Sequence, residues 1–424
     1  MTDYTSQTWG HRREAETQLF CIVFLLQFLY NVVKRWWSTG PTQRRSDSNS
    51  VVHPTGHEKF CCGPSFIADL LCNNAINFTI LDACPPITLI RLASSCRDAD
   101  AVVKCYRRFR FDIDPLLASF FKDTGAFRNL QAKTGMLISG STALQLFLRT
   151  TYPDSDLDLY VHRDHRLLVG QYLLDAGYTF MHNRNQAPDF LEAASEDFID
   201  SVTGDYSRMY GVATVFTFQN AEFKTVQVIL AVSSPLAVIL LYHSTCVLNI
   251  VTYNMAFCLY PRATLGDRCS LVLRSDEVLD PSVMRKYVKR GFQFAISTRQ
   301  EDVAFLPGQL RWLGDSHCWT IPLNASMINV VTEADSLTNS SWRLIDAPRV
   351  RIEFDTLTGP GFRDVYVVGD PTIRAIFTAF LLFSNALLEN GISYDFDLEF
   401  RRFCNFWFLT QSFADLSLCS KSLC

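Results

Sequence analysis

Three aspartates stand within five residues in the stretch GMLISGSTALQLFLRTTYPDSDLDLYV, Gly135 to Val161. Strand alternation puts Leu157, Leu159 and Val161 on one face and Asp156 and Asp158 on the other. Carboxylates at i and i+2 of a strand lie about 6–7 Å apart. Held there, they repel each other unless solvent or a cation neutralises them. A hard divalent cation, Mg²⁺ or Mn²⁺, bridging to substrate phosphates is the chemistry that suits them. Upstream, Gly140 allows a tight turn and Ser141 is a good helix N-cap. The free N–H groups of a new helix start, with a hydroxyl among them, form a ready phosphate site. A calcium loop beginning at Asp154 is excluded, because its sixth position is Leu159 rather than Gly and its twelfth is His165 rather than Glu. A solvated strand entry with no ligand remains the plain alternative.

The flanking elements must hold this pair. Ala143, Leu144, Phe147 and Leu148 share one face of a helix that begins at the Gly-Ser turn. Pro153 turns the chain into the aspartate strand. HRDHRLLVGQYLLDAGYTF predicts a helix with Leu167, Leu168, Tyr172 and Leu173 inward, ending at Gly177. Val212 to Val232 predicts a hairpin turning at Asn220-Ala221, with Lys224 placed either to reach a phosphate or to stay solvated. A helix, a buried strand VLNIVTY and a helical turn follow, and His243 and Thr245 are candidates to flank a base or sugar pocket. Arg285, Lys286, Lys289 and Arg290 read as the solvated face of a basic amphipathic helix. Further on, strands separated by turns precede an amphipathic helix over PTIRAIFTAFLLFSNALLENG. The second D-x-D, Asp395 and Asp397, has no Gly-Ser helix start before it and reads as structural. The surrounding YDFDLEFRRFCNFWFL reads as alternating, then aromatic.

Composition narrows the classes. The chain has 424 residues, 48% apolar, with a formal net charge of −4, so no global charge favours nucleic acid. Its 14 cysteines contain no C-x-x-C pair, which points to reduced thiols in the cytoplasm or nucleus. Walker, Rossmann and nucleophile-elbow patterns are absent from the sequence. Leu19 to Val33 is apolar between basic and Trp flanks but shorter than the ~20 residues of a spanning helix. It predicts either a packed helix or a membrane contact through 19–33. Residues 38–59 are rich in Ser, Thr, Gly and Pro, as a linker would be.

A Gly-Ser helix start followed by an Asp-x-Asp strand resembles the nucleotidyltransferase (polymerase-beta-like) superfamily over roughly 111–265. The wording ISGSTALQ…DSDLDLYV, with HSTCV and YPRAT, is similar to an uncharacterised fungal group. The resemblance implies metal on Asp156 and Asp158 and triphosphate on Gly140 and Ser141. It also implies a third carboxylate on a neighbouring strand, and that slot falls on Gln227, a neutral residue. Separately, a Pro-marked break followed by TLIRLASSCR (Thr88 to Arg97) resembles the second half of an F-box. That resemblance implies docking on a ubiquitin-ligase adaptor, although the Leu-Pro opening is missing before Ile67.

The expected architecture is α/β (α+β), a mixed sheet flanked by helices. It comprises a segment and linker over 1–59, a helical F-box-like element over 60–110, a nucleotidyltransferase-like domain over 111–265 and a β-rich extension over 266–424. Two functions follow. The first is Mg²⁺-dependent binding of a nucleoside triphosphate with transfer of a nucleotidyl group. The second is a catalytically silent interaction protein, an F-box-type substrate receptor.

Overall fold

A computed structural model describes residues 74–195, 211–273, 281–299, 302–329, 336–359, 362–389 and 395–421. The chain divides into Met1–Gly63 and Pro64–Cys424, and all described residues belong to the second unit. The apolar stretch Leu19 to Val33 lies outside the described residues. Among the described residues, no helix is long and apolar enough to cross a membrane.

The protein is an α/β fold with a mixed central sheet of eight strands, as expected. The strands are β1 (Leu137–Ile138), β2 (Leu157–His162), β3 (Thr179–Phe180), β4 (Val212–Gln219), β5 (Thr225–Ala231), β6 (Asn249–Val251), β7 (Met255–Cys258) and β11 (Trp319–Pro322). Their order across the sheet is β11-β7-β6-β1-β2-β5-β4-β3. β2 and β5 run parallel, while β1–β2, β4–β5, β1–β6 and β7–β11 are antiparallel. β11 comes from the C-terminal part of the chain, so the central sheet is completed across the boundary expected at 265.

Alternation along β2 sorts its side chains between two apolar clusters. Leu157, Leu159 and Val161 join Phe147, Phe216, Phe218 and Trp319 on one side. Tyr160 joins Leu137, Ile229, Ile250 and Trp342 on the other. A one-residue slip of β2 would exchange these faces, so the register that buries the leucines also fixes where Asp158 points.

The described residues open with helices α1 (Asn74–Ala83), α2 (Pro86–Ala93) and α3 (Arg97–Arg110). They break at Pro85-Pro86 as the sequence predicts, since proline cannot continue a helix. Leu81, Leu89, Val103 and Tyr106 belong to the same apolar cluster as β2. Arg149, left-handed at φ 50°, ties them down by donating to the carbonyl of Leu81 at 2.9 Å and to Tyr106. Leu89 of the F-box-like stretch is fully buried, so it serves the core of the body instead of an open docking face.

Two local expectations are corrected. After α4 (Thr124–Thr134) and α5 (Gly140–Leu148), α6 spans Arg166–Asp175 and buries Arg166, Val169, Gly170 and Leu173. Leu167 and Leu168 are exposed, at 43% and 38%. The inward face is set by Arg166, whose Nε donates to the carbonyl of Ala194 at 2.7 Å. It is also set by Gly170, where an added Cβ would lie 1.9 Å from the Phe190 ring. An apolar-periodicity rule gives no weight to an arginine or a glycine. The second correction concerns the last segment, which is helical over Phe396–Lys421 (α10). Its start follows Asp395, whose Oδ1 accepts from the N–H of Leu398 at 3.0 Å, an N-terminal cap. Asp397 accepts from the N–H groups of Arg363 and Asp364 and from the Tyr366 hydroxyl, so this second D-x-D is structural, as expected.

Candidate active site

The site forms where α5 begins beside β2. Gly140 is the first helical residue, at φ +65°, a conformation only glycine takes without strain. A Cβ placed there would lie 2.5 Å from Asp158 Oδ2. Glycine is therefore required twice, by the backbone and by the carboxylate packed against it. The N-cap is Ser139, not Ser141 as the sequence suggested. Ser139 Oγ is turned away, donating to the carbonyls of Asn249 at 2.6 Å and Val247 at 3.3 Å. Ser141 sits in the first turn, buried.

β2 carries Asp158, and Asp156 immediately precedes the strand. The backbone here is fixed at two points. The Asp158 carbonyl accepts from Ser139 N–H at 3.4 Å, and the Asp156 carbonyl accepts from Thr142 Oγ1 at 3.1 Å. The carbonyls are thus held by the start of α5, and the carboxylates stay outside this bonding. Gln227 of β5 is the direct partner of Asp158 in the parallel ladder. The sequence placed Gln227 beside the acids by analogy, and the register brings them together. Lys224 lies at the end of the hairpin turn, which spans Asn220 to Lys224. Its Nζ donates to the carbonyl of Pro153 at 3.4 Å, bracing the turn that leads into the aspartates.

Burial and mutual repulsion govern the electrostatics. Asp158 keeps only part of its surface in solvent, and burial followed by the charge of Asp156 pushes its carboxyl up to about 7, against an opposing pull from Lys286. Burial also raises Asp156, and Lys286 again opposes. Two carboxylates at such strain accept a counter-charge readily.

The basic helix α8 (Pro281–Lys289) is where the sequence reading missed the site. It does not simply face solvent. Its only buried side chain, Tyr287, lies 6.0 Å from the His243 ring and 5.2 Å from the Arg290 guanidinium over its face. Arg290, just beyond the helix, stacks 3.8 Å over Tyr152 and donates to Ser155 Oγ at 3.3 Å. Lys286 is exposed yet acts electrostatically on Asp156, Asp158 and His243. The missed signal was the spacing of Lys286, Tyr287 and Arg290. An aromatic between two cations, one turn apart, marks a helix that rests on something by its middle.

His243 is half-buried, and desolvation together with the charge of Lys286 lowers its imidazole to about 4, so it is neutral at physiological pH. Its Nδ1 has no hydrogen-bond partner, and neither does the buried Nη1 of Arg290. Thr245, the other candidate for the pocket wall, accepts from Leu271 N–H at 3.0 Å and is an internal brace.

The donor set fits a hard divalent cation held jointly with phosphate. Asp156, Asp158 and the Gln227 amide oxygen are all hard oxygen donors, and Gly140 lets the Asp158 carboxylate lie against the helix start. Among the described residues, no group of three His, Cys, Asp or Glu could hold a metal by itself. Remaining ligands would have to come from substrate and water. A separate cleft of about 850 Å³ opens at the other end of β2, around His162, His165 and Lys133 under Thr356 and Arg363. It contains neither the acid pair nor the Gly-Ser turn. Compared with known proteins, the chain matches no family model, no curated protein and no solved structure.

Proposed function

We propose that the chain binds a nucleoside triphosphate together with Mg²⁺ or Mn²⁺ at the junction of α5 and β2, and that this is a nucleotidyl-transfer site. The reading is carried by one observation: Asp158 lies over a glycine that can be nothing else, on a strand whose in-register neighbour supplies Gln227. The metal, when bound, would supply charge neutralisation and polarisation of the transferred phosphoryl group. This chain's residues do the rest. Asp156 and Asp158 offer the anionic oxygens that hold the cation. The start of α5 presents backbone N–H groups to phosphate. Lys286 and Arg290 add positive charge on the facing side.

A second reading has its own support. Gln227 occupies the slot where a third carboxylate would accept a proton from an attacking hydroxyl, and an amide is no base at neutral pH. Binding would then survive without transfer, and the fold would serve interaction. Calorimetry of the full chain with ATP and Mn²⁺ tests the binding that both readings share, and pyrophosphate release, expected only with transfer, separates them. Metal-dependent ATP binding that Asp156→Asn abolishes supports the site. Metal affinity raised by Gln227→Asp supports the slot. ATP binding indifferent to metal and to Asp156 would refute the transferase reading.

A further inference from the structure

We infer that Phe223, at the tip of the β4–β5 hairpin, is a stacking platform for the base of the nucleotide. The role rests on the nucleotide reading above and concerns the part of that ligand which the acids and the start of α5 leave uncontacted.

Residue and position are mismatched at Phe223. The turn from Asn220 to Lys224 is closed by its own backbone. Asn220 N–H donates to the Lys224 carbonyl at 3.1 Å, and Phe223 N–H donates to the Asn220 carbonyl at 3.0 Å. The Asn220 side-chain oxygen accepts from the N–H groups of Glu222 at 3.0 Å and Lys224 at 2.9 Å. A turn closed in this way places a left-handed residue just before its last member, where hairpins ordinarily use glycine. Phe223 takes that place at φ 61°. A bulky side chain at positive φ is costly. Packing does not offset the cost, because Phe223 is 81% exposed, more than any other large apolar residue among those described. An outlier of this kind, with no return in burial, points to a ligand.

The place of Phe223 in the sheet says which ligand. β5 runs parallel to β2, with Val226 beside Leu157 and Gln227 beside Asp158. The hairpin tip therefore lies at the end of the sheet where the acids stand. Lys224 Nζ fastens it there by donating to the Pro153 carbonyl at 3.4 Å. Phe223 precedes Gln227 by four residues, so at the strand rise it stands within about 13 Å of that position. A nucleoside triphosphate with its phosphates at Gly140, Asp156 and Asp158 extends its base over such a distance, and a bare polyphosphate does not. The ring is uncharged and suits the π-face of a base. Glu222 beside it and Asp154 next to Pro153 are both exposed acids, so the tip repels a long polyanionic strand more than a single nucleotide. Stacking of a base on an aromatic ring is worth roughly five- to a hundredfold in affinity and does not choose among bases.

The test uses the full chain. Mn²⁺·ATP and Mn²⁺·tripolyphosphate are titrated by calorimetry into wild type, Phe223→Gly, Phe223→Asn and Phe223→Trp, and each protein is melted without ligand. Glycine relieves the left-handed conformation and asparagine tolerates it, while both remove the ring. These two variants should bind Mn²⁺·ATP about fivefold or more weakly, and Mn²⁺·tripolyphosphate as wild type does. Phe223→Trp, which keeps an aromatic face, should hold Mn²⁺·ATP at least as tightly as wild type. Phe223→Gly should melt at or above the wild-type temperature. An equal loss of both ligands, or no loss of either, overturns the inference and leaves the nucleotide reading standing. A Phe223→Gly protein that melts below wild type also overturns it, because the ring then belongs to the packing. If wild type binds neither ligand, the nucleotide reading falls and the stacking role falls with it.

Discussion

Asp158→Asn should make the chain more stable at pH 8, not less. In the folded protein the Asp158 carboxyl is raised to about 7 by burial and by Asp156. In the unfolded chain it ionises near its ordinary ~3.8. Between those values the folded state holds a proton that the unfolded state has released. Stability therefore falls as pH rises from about 4 to about 7, and the full penalty is present above 7. At ~1.36 kcal/mol per pH unit the gap corresponds to about 4 kcal/mol. Asp158 retains some solvent contact, which screens the interaction, and about 2 kcal/mol is the working figure. Asparagine keeps the shape, including the atom beside Gly140, and carries no charge. Thermal melts of both proteins from pH 4 to pH 8, without divalent metal, give the test. The curves should coincide near pH 4 and separate by a few degrees at pH 8, with the variant higher. A variant that melts below wild type at pH 8, or a constant offset across the range, would refute the assignment of Asp158 as a strained, unneutralised acid.

Other changes have defined outcomes. Gly140→Ala places a Cβ 2.5 Å from Asp158 Oδ2 at φ +65° and should cost roughly 2–3 kcal/mol, read as a lowered melting temperature, with loss of any metal binding. Asp315→Ala removes the carboxylate that accepts from Arg311 Nε at 2.6 Å and Nη2 at 3.0 Å in a fully buried pair. Leaving Arg311 uncompensated should destabilise by about 3–5 kcal/mol in a denaturant titration. Leu89→Ala should cost about 2–5 kcal/mol in the same assay, because Leu89 is completely buried. If adaptor binding is then lost while folding is unaffected, Leu89 has a docking role that its burial argues against.

Much of the site was legible in the sequence because it is local. Gly140, Ser141, Asp156 and Asp158 lie within 19 residues, and strand alternation alone puts Asp158 opposite Leu157 and Leu159. The hairpin was readable from two apolar-alternating runs around Asn220, and the α/β class from the succession of helix and strand periods. Other features depend on where distant segments meet. Periodicity treats a buried Arg166 and a contact-making Gly170 as neutral, so the inward face of α6 came out rotated. The cap is Ser139 instead of Ser141 because the helix already begins at Gly140, and the Ser139 hydroxyl is spent on the carbonyl of Asn249, more than a hundred residues away. α8 looked like a solvated basic helix because the partner of Tyr287, the His243 ring, belongs to a distant segment of the chain.

The sequence by itself determined the acid pair and the glycine turn that opens the preceding helix, while Gln227 entered only through the resemblance. The acid pair and the turn follow from backbone geometry over a few residues. Only the tertiary structure decided that Asp158 and Gln227 are register partners and that Asp158 is held near 7. It also decided that β11 returns to join the central sheet beside β7. Burial and long-range charge are properties of the assembled chain. They depend on which surfaces exclude water from a group, and no single stretch of sequence carries that information.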